Sequence, residues 1–417
     1  MTFRGMIDIK RIFINFICVL LSVFVITPLF AVSASAMGTA DSFNKQAADE
    51  LRAGLDECLD EIVFSKAISD SDLFSVYQRV FDEAPYCYYV YNISDIVSDS
   101  SGRIKKVSVK YLFDDAESCK KAVTECEDEV NTIISGIDST WTDFQKCAYL
   151  HDYLVLSCKY DYQEGRRCRS VYGALIEKNI VCVGYARAYR LLLSRVGVTA
   201  ENVTSSGMNH MWNIVNVDGK WYHVDITYDD GYTVFSSDGA TGHKYFLKSD
   251  IGLKDHIKDW TLSDVTIDKD SAIFYYPDAP RALSKKYDKE LWSNSDRVFA
   301  YADNCILFST KYGDICCYDA LNDTTSLMGA ISRKGRFYSM LNSEKNIGRS
   351  GSCFILCASA NGDVLCYSSH YSIKAYAVKT GMCRTLAKLP DDPSSREFIR
   401  AVCKNKVLRR VYLGSAI

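Results

Sequence analysis

Three segments of this chain carry side chains that can do covalent chemistry together. They are Val181-Cys182-Val183-Gly184-Tyr185-Ala186-Arg187, Asn209-His210-Met211-Trp212-Asn213 and Trp221-Tyr222-His223-Val224-Asp225. A thiol, an imidazole and a carboxylate in one site make a nucleophile, its base and the group that orients the base. Residue types alone are weak grounds, because a cysteine is more often a small buried apolar residue and this chain has 17 of them. The imidazole is more telling in a chain with only 6 histidines. A zinc site built from Cys182, His210 and Asp225 has suitable ligand types, but the chain lacks any Cys-x-x-Cys pair. The triad is the preferred reading, with no metal and no cofactor expected.

Each segment also implies the local structure its role requires. After Cys182, the apolar positions Tyr185, Ala188/Tyr189, Leu192 and Val196 recur at helical spacing, and Gly197 is a plausible stop. Cys182 therefore falls at or just before a helix N-terminus, where unpaired N–H groups and the helix dipole favour a thiolate and leave donors for an oxyanion. Downstream, Asp218-Gly219 between two strand-like runs is a hairpin signal. It pairs Val217 with Lys220, places His210 opposite Thr227, and makes Asp225 the diagonal neighbour of His210 on one face. Asp229 and Asp230 fall beyond the paired stretch. The register selects Asp225, and a slip of one residue would undo the selection.

These residues resemble the transglutaminase-like superfamily. Lys178 to Ala186 is similar to its nucleophile segment, and Asn209 to Asn213 with Asp218 to Asp230 is similar to its His and Asp segments. Leu150-His151-Asp152-Tyr153-Leu154, Lys159-Tyr160-Asp161, Ser170 to Leu175 and Lys244-Tyr245-Phe246-Leu247 resemble the flanking pattern of bacterial members. Met211 and Tyr228 stand where small or tryptophan residues are commoner. The resemblance runs from about Thr142 to His256, under a third of the chain. It implies a papain-like α+β core in which a Cys-bearing helix packs on an antiparallel sheet bearing His and Asp. It also implies Cys182 as nucleophile, His210 as general base and acid, and Asp225 as orienter. The resemblance leaves the reaction open among protein cross-linking, amide hydrolysis and a non-catalytic binding module.

The N-terminus addresses location. Arg4, Lys10 and Arg11 precede an apolar run from Ile12 to Phe30, followed by Ala34-Ser35-Ala36. That pattern reads as a secretory signal cleaved after Ala36, or as a membrane anchor if it stays uncleaved. A formal net charge of −3 gives no sign of a nucleic-acid partner. The expected partner is an extracellular or cell-wall peptide or protein. The cysteines are scattered over strand-like apolar segments, so they read as mostly reduced core residues rather than a disulfide framework.

The whole chain reads as α+β in four parts. These are a signal at 1–36, a small α+β lead-in at 37–140, the catalytic core at 141–267 and a β-rich region at 268–417. In the lead-in, Phe43 to Phe64 reads as helix, Tyr86 to Ile93 and Ile104 to Phe113 as strands, and Cys119 to Ile137 as a second helix. In the last part, Cys305-Ile306-Leu307-Phe308-Ser309 with Gly313 to Asp319 is echoed by Cys353 to Ala358 with Gly362 to Tyr367, a period of about 49 residues. That spacing suits propeller-like blades and a region of its own that binds a partner. The expectation for the whole is an exported cysteine acyl-transfer enzyme acting on peptide or protein amides, the alternative being a cell-surface binding module.

Overall fold

The computed structural model describes residues 40–388 apart from several segments, the longest being 231–241, 257–279 and 340–354. The proposed signal, its cleavage point and the boundary at Asp268 lie outside the described residues. No helix among those described is long and apolar enough to cross a membrane.

The lead-in is a helix on a three-stranded sheet. Helix α1 (Ala40–Asp56) buries Leu51 and Leu55, and strand β1 (Glu61–Ile68) follows it. The helix thus ends earlier than its apolar spacing predicts. Cys58 adopts φ 52, and Ile62 and Phe64, two residues apart, bury one face of β1 instead of continuing a helical stripe. Strands β2 (Val90–Ser98) and β3 (Ile104–Tyr111) form the expected hairpin, with sheet order β1-β3-β2. Asp99 closes its turn by accepting from the Ser101 and Arg103 amides. Helix α2 (Ala116–Ile134) starts at Asp115, whose carboxylate accepts from the Ser118 amide as an N-cap.

The site is carried by the next elements. Helix α3 (Asp143–Ser157) opens with a capping box between Thr142 and Gln145. The two-residue strands β4 (Lys159–Tyr160) and β5 (Asn179–Ile180) pair in parallel just before helix α4 (Cys182–Arg195). Gly197, at φ 79, takes the left-handed position after α4, so the expected stop holds. The sheet β6 (Ala200–Ser205), β7 (His210–Val217), β8 (Lys220–Val224) is antiparallel and runs in that order. Asp218 and Gly219 have φ 52 and 75, as a two-residue turn with positive φ at both centres requires. Val217 pairs with Lys220, Asn216 with Trp221 and Asn213 with Val224. The register is the one the sequence implies.

One detail of that register differs. Strand β8 ends at Val224, and Thr227 lies in the single-turn helix α5 (Ile226–Asp229) rather than opposite His210. The cause is Asp225 itself, whose side chain accepts from the Tyr228 amide and caps that turn. The chain therefore bends away from the ladder at the residue that must reach His210.

Beyond the core, strands β9 (Ala300–Ala302), β10 (Cys305–Ser309), β11 (Asp314–Asp319), β12 (Thr324–Ile331) and β13 (Phe337–Ser339) make one antiparallel meander. Strands β14 (Ile355–Ala358), β15 (Val364–Ser369), β16 (Ser372–Ala377) and β17 (Cys383–Lys388) make another. The sequence repeat is thus two equivalent hairpins, β10–β11 and β14–β15. Among the described residues these form two sheets and no ring of blades.

The first meander shares its core with the elements that carry the candidate site. Phe144 of α3 packs its ring against Tyr287, Trp292 and Tyr318 at 5.4, 5.4 and 5.1 Å between centroids. Phe246 packs on both Phe144 and Trp292. The cysteines whose side chains are described, from Cys58 to Cys317, form no disulfide with one another.

Candidate active site

Helix α4 begins at Cys182, the expected nucleophile. Val181 is the extended residue before the helix and offers no side-chain cap, while its carbonyl accepts from the Gly184 and Tyr185 amides. Gly184 makes this placement possible. A Cβ there would lie 2.7 Å from the Cys168 carbonyl oxygen and 2.8 Å from Ile180 Cβ, so the first turn packs directly on the preceding loop.

Strand β7 delivers His210, the expected base. Asn209 takes a left-handed conformation, φ 48, and the strand opens at His210. Asn213 locks strand to helix, because its amide donates to the Ala186 carbonyl at 2.9 Å and to Asn202 Oδ1 at 3.0 Å. Ala186 and Met211, with Val183 against them, fill the space between the two elements. Trp212 stacks beside the His210 ring at 5.8 Å, and its indole donates to His223 Nδ1 at 3.1 Å. His223 in turn donates from Nε2 to Asp250, which also holds Arg281. A chain of hydrogen bonds therefore fixes the surface on which His210 rests.

The three predicted residues come together. His210 Nε2 donates to Asp225 Oδ2 at 2.6 Å, which leaves Nδ1 as the ring's other nitrogen. The His210 ring and the Met211 amide both act on the Cys182 thiol in the direction that favours the thiolate. Burial alone would push the Cys182 thiol up, but the hydrogen bond and charge of His210 outweigh it and hold the group below its ordinary value. Burial likewise disfavours a charged His210, yet the Asp225 charge and hydrogen bond, with a further contribution from Cys182, push it up to about 10. Asp225 is fully buried, which opposes its ionisation. The charge and hydrogen bond of His210 and the hydrogen bond of His256 nevertheless hold it well below the usual carboxylate range. The arrangement favours a thiolate–imidazolium pair backed by a carboxylate.

Asp229 and Asp230 serve elsewhere. Asp229 accepts from His151 Nε2 at 3.2 Å and from the Tyr245 amide, while Asp230 accepts from the Tyr185 hydroxyl. The second acidic cluster thus belongs to the core. His151 donates from both ring nitrogens, to Asp152 at 3.1 Å and to Asp229, and so must be an imidazolium. Asp152 also takes His243 Nε2 at 2.7 Å and the Phe299 amide at 2.7 Å, tying α3 to the first meander.

One residue of the site was not legible as such. His256 also donates to Asp225 Oδ2, at 2.5 Å, from a turn 31 residues downstream. Its only sequence signal was the scarcity of histidine. Ligating atoms of His210, Asp225 and His256 lie within 4.8 Å of one another, as do those of His151, Asp152 and His243. In both groups these atoms are already joined in direct hydrogen bonds, which accounts for their convergence without a metal.

Residues 131–226 match the family model of the transglutaminase-like superfamily. This chain carries a transglutaminase-like domain. The matched segment begins in α2 and ends just past Asp225, so it holds all three residues of the site. Among solved structures, a protein described as a TGase is similar at 10% identity over 40% of this chain and 50% of its own, with a TM-score of 0.23. The chain thus spans about half the length of that relative. No curated protein matches the chain.

Proposed function

We propose that this protein is an exported cysteine acyl-transfer enzyme acting on amide bonds of peptides or proteins at the cell surface. The observation that carries the reading is the convergence of Cys182, His210 and Asp225, in which the carboxylate holds the ring through Nε2 and the ring in turn lowers the thiol. In the first step the Cys182 sulfur attacks the amide carbonyl carbon while its proton resides on His210. The tetrahedral intermediate places its oxyanion at the start of α4, where the Cys182 N–H is a donor. Collapse breaks the C–N bond, His210 gives its proton to the leaving amine, and a thioester remains on Cys182. Water or a lysine amine then attacks the thioester. His210 takes the proton from this second nucleophile, and the thiolate is released. Asp225 stays ionised throughout and stabilises the imidazolium.

Export rests on the basic flank, the apolar run Ile12–Phe30 and Ala34-Ser35-Ala36. The substrates this location offers are extracellular or cell-wall peptides and proteins. The test is alkylation of the mature protein by iodoacetamide across pH, read by mass spectrometry at each cysteine. Cys182 should react near neutral pH far faster than every other cysteine, and His210→Ala should slow it. Uniform labelling that ignores His210 would leave a binding module as the better description.

A further inference from the structure

Asp225 has two imidazole donors, and the reaction described above uses only one. His210 and His256 both direct Nε2 at the same oxygen, Oδ2, at 2.6 and 2.5 Å, while Oδ1 accepts from the Tyr228 amide at 3.1 Å. A carboxylate can only accept, so both Nε2 atoms carry protons. Asp225 and His256 are both fully buried. Water is therefore replaced around this anion by three fixed donors, and His256 supplies one of them.

The surroundings of His256 hold it in place. Its ring lies 4.4 Å from Tyr228, 5.1 Å from Tyr245 and 5.2 Å edge-on from Trp212, and its own amide donates to the Leu253 carbonyl at 3.0 Å. The titratable groups around it are Asp225, His210, Tyr228 and Tyr245, with His223 behind Trp212, Lys244 on Tyr245, and Asp255 adjacent in sequence. Its Nδ1 is buried and has no hydrogen-bond partner among the described residues. A proton there would be an unpartnered buried N–H, so the neutral tautomer with hydrogen on Nε2 fits the site.

We infer that His256 is a positioning residue of the active site: as a neutral Nε2–H donor it keeps Asp225 ionised and turned toward His210. The inference rests on the proposed acyl-transfer reading. The physical chain is short. Without His256 the buried carboxylate loses a donor and is protonated more readily. His210 then loses its counter-charge, the imidazolium is less favoured, and Cys182 reverts toward a neutral thiol. His256 touches neither substrate nor thiol in this scheme.

His256→Phe keeps the ring among its aromatic neighbours and removes the donor. His256→Gln presents an amide N–H at the Nε2 position. The experiment is the pH profile of Cys182 alkylation in the full chain, with thermal unfolding as the check on folding. His256→Phe should slow alkylation near pH 7 by about 10- to 100-fold, the span one charge-assisted hydrogen bond supports, and shift the profile toward higher pH. His256→Gln should recover most of that loss. A His256→Phe protein that folds and alkylates at the wild-type rate with an unshifted profile overturns the inference and leaves His256 as packing. Should His256→Phe fail to fold, ¹⁵N imidazole shifts of the wild-type protein decide: Nε2-protonated neutral His256 supports the inference, and an Nδ1–H tautomer or an imidazolium refutes it. Failure of wild-type Cys182 to label selectively would instead overturn the proposed function, so the two failures are distinguishable.

Discussion

Replacing Asp225 by Asn removes one charge and almost no volume, which makes it the sharpest probe of the thiolate–imidazolium pair. The Asn oxygen can still accept from the Tyr228 amide and preserve the cap on α5. What is lost is the anion between His210 and His256. Burial works against a charged His210, yet the residue sits at about 10 instead of 6.5, which corresponds to ~5 kcal/mol in favour of the imidazolium at ~1.36 kcal/mol per tenfold. Asp225 leads the favourable causes and Cys182 supplies a smaller share. Loss of the leading favourable cause takes away much of that total and lowers the population of the ion pair by roughly 10²- to 10³-fold. The second-order rate of Cys182 alkylation at pH 7 should fall by that factor, and its pH profile should move into the range of an ordinary thiol. Asp229→Asn is the control, because Asp229 binds His151 and the Tyr245 amide and has no bond to His210. Its alkylation rate should stay near wild type as long as the protein remains folded by circular dichroism. An Asp225→Asn protein with the wild-type rate would refute the reasoning, as would a folded Asp229→Asn protein that had lost it.

Three further predictions probe the supports of the site. Gly184→Ala drives a methyl against the Cys168 carbonyl and Ile180, so it should cost about 1–3 kcal/mol in urea unfolding and slow Cys182 labelling; a neutral effect on both would show that the close approach is dispensable. For His151, burial opposes the charge but its bonds to Asp152 and Asp229 prevail and raise it from 6.5 to about 9. A raised folded value means its contribution, ~3 kcal/mol, is complete below 6.5 and lost as pH rises through about 9. The stability gap between wild type and His151→Gln should therefore shrink from pH 6 to pH 9.5, and a flat gap would refute the assignment. Finally, a chain ended near Asp268 lacks Tyr287, Trp292 and Tyr318 and uncovers Phe144. It should aggregate or lose the reactive thiol, whereas a soluble fragment that still labels selectively at Cys182 would establish the β-rich region as separable.

Local chemistry determined much of this site from the sequence. The position of Cys182 at a helix start followed from the spacing of Tyr185, Tyr189 and Leu192, and the strand register followed from Asp218-Gly219, because only a two-residue turn with positive φ at both centres suits that pair. Both are decided within about 15 residues, where chain geometry leaves few alternatives. The helix α1 boundary was not legible, since Leu51, Leu55, Leu59 and Ile62 keep a helical period across a turn that Cys58 breaks, and burial of alternate β1 residues against the sheet overrides that period. The bend at Asp225 was hidden for a related reason: the same carboxylate that seeks His210 also caps a helical turn, and strand propensity carries no record of that second bond. The role of His256 and the partners that Asp229 and Asp230 take in the core were beyond the sequence altogether. Each depends on which buried carboxylate a histidine meets across the fold. That is set by packing between segments tens of residues apart, and no spacing along the chain encodes it.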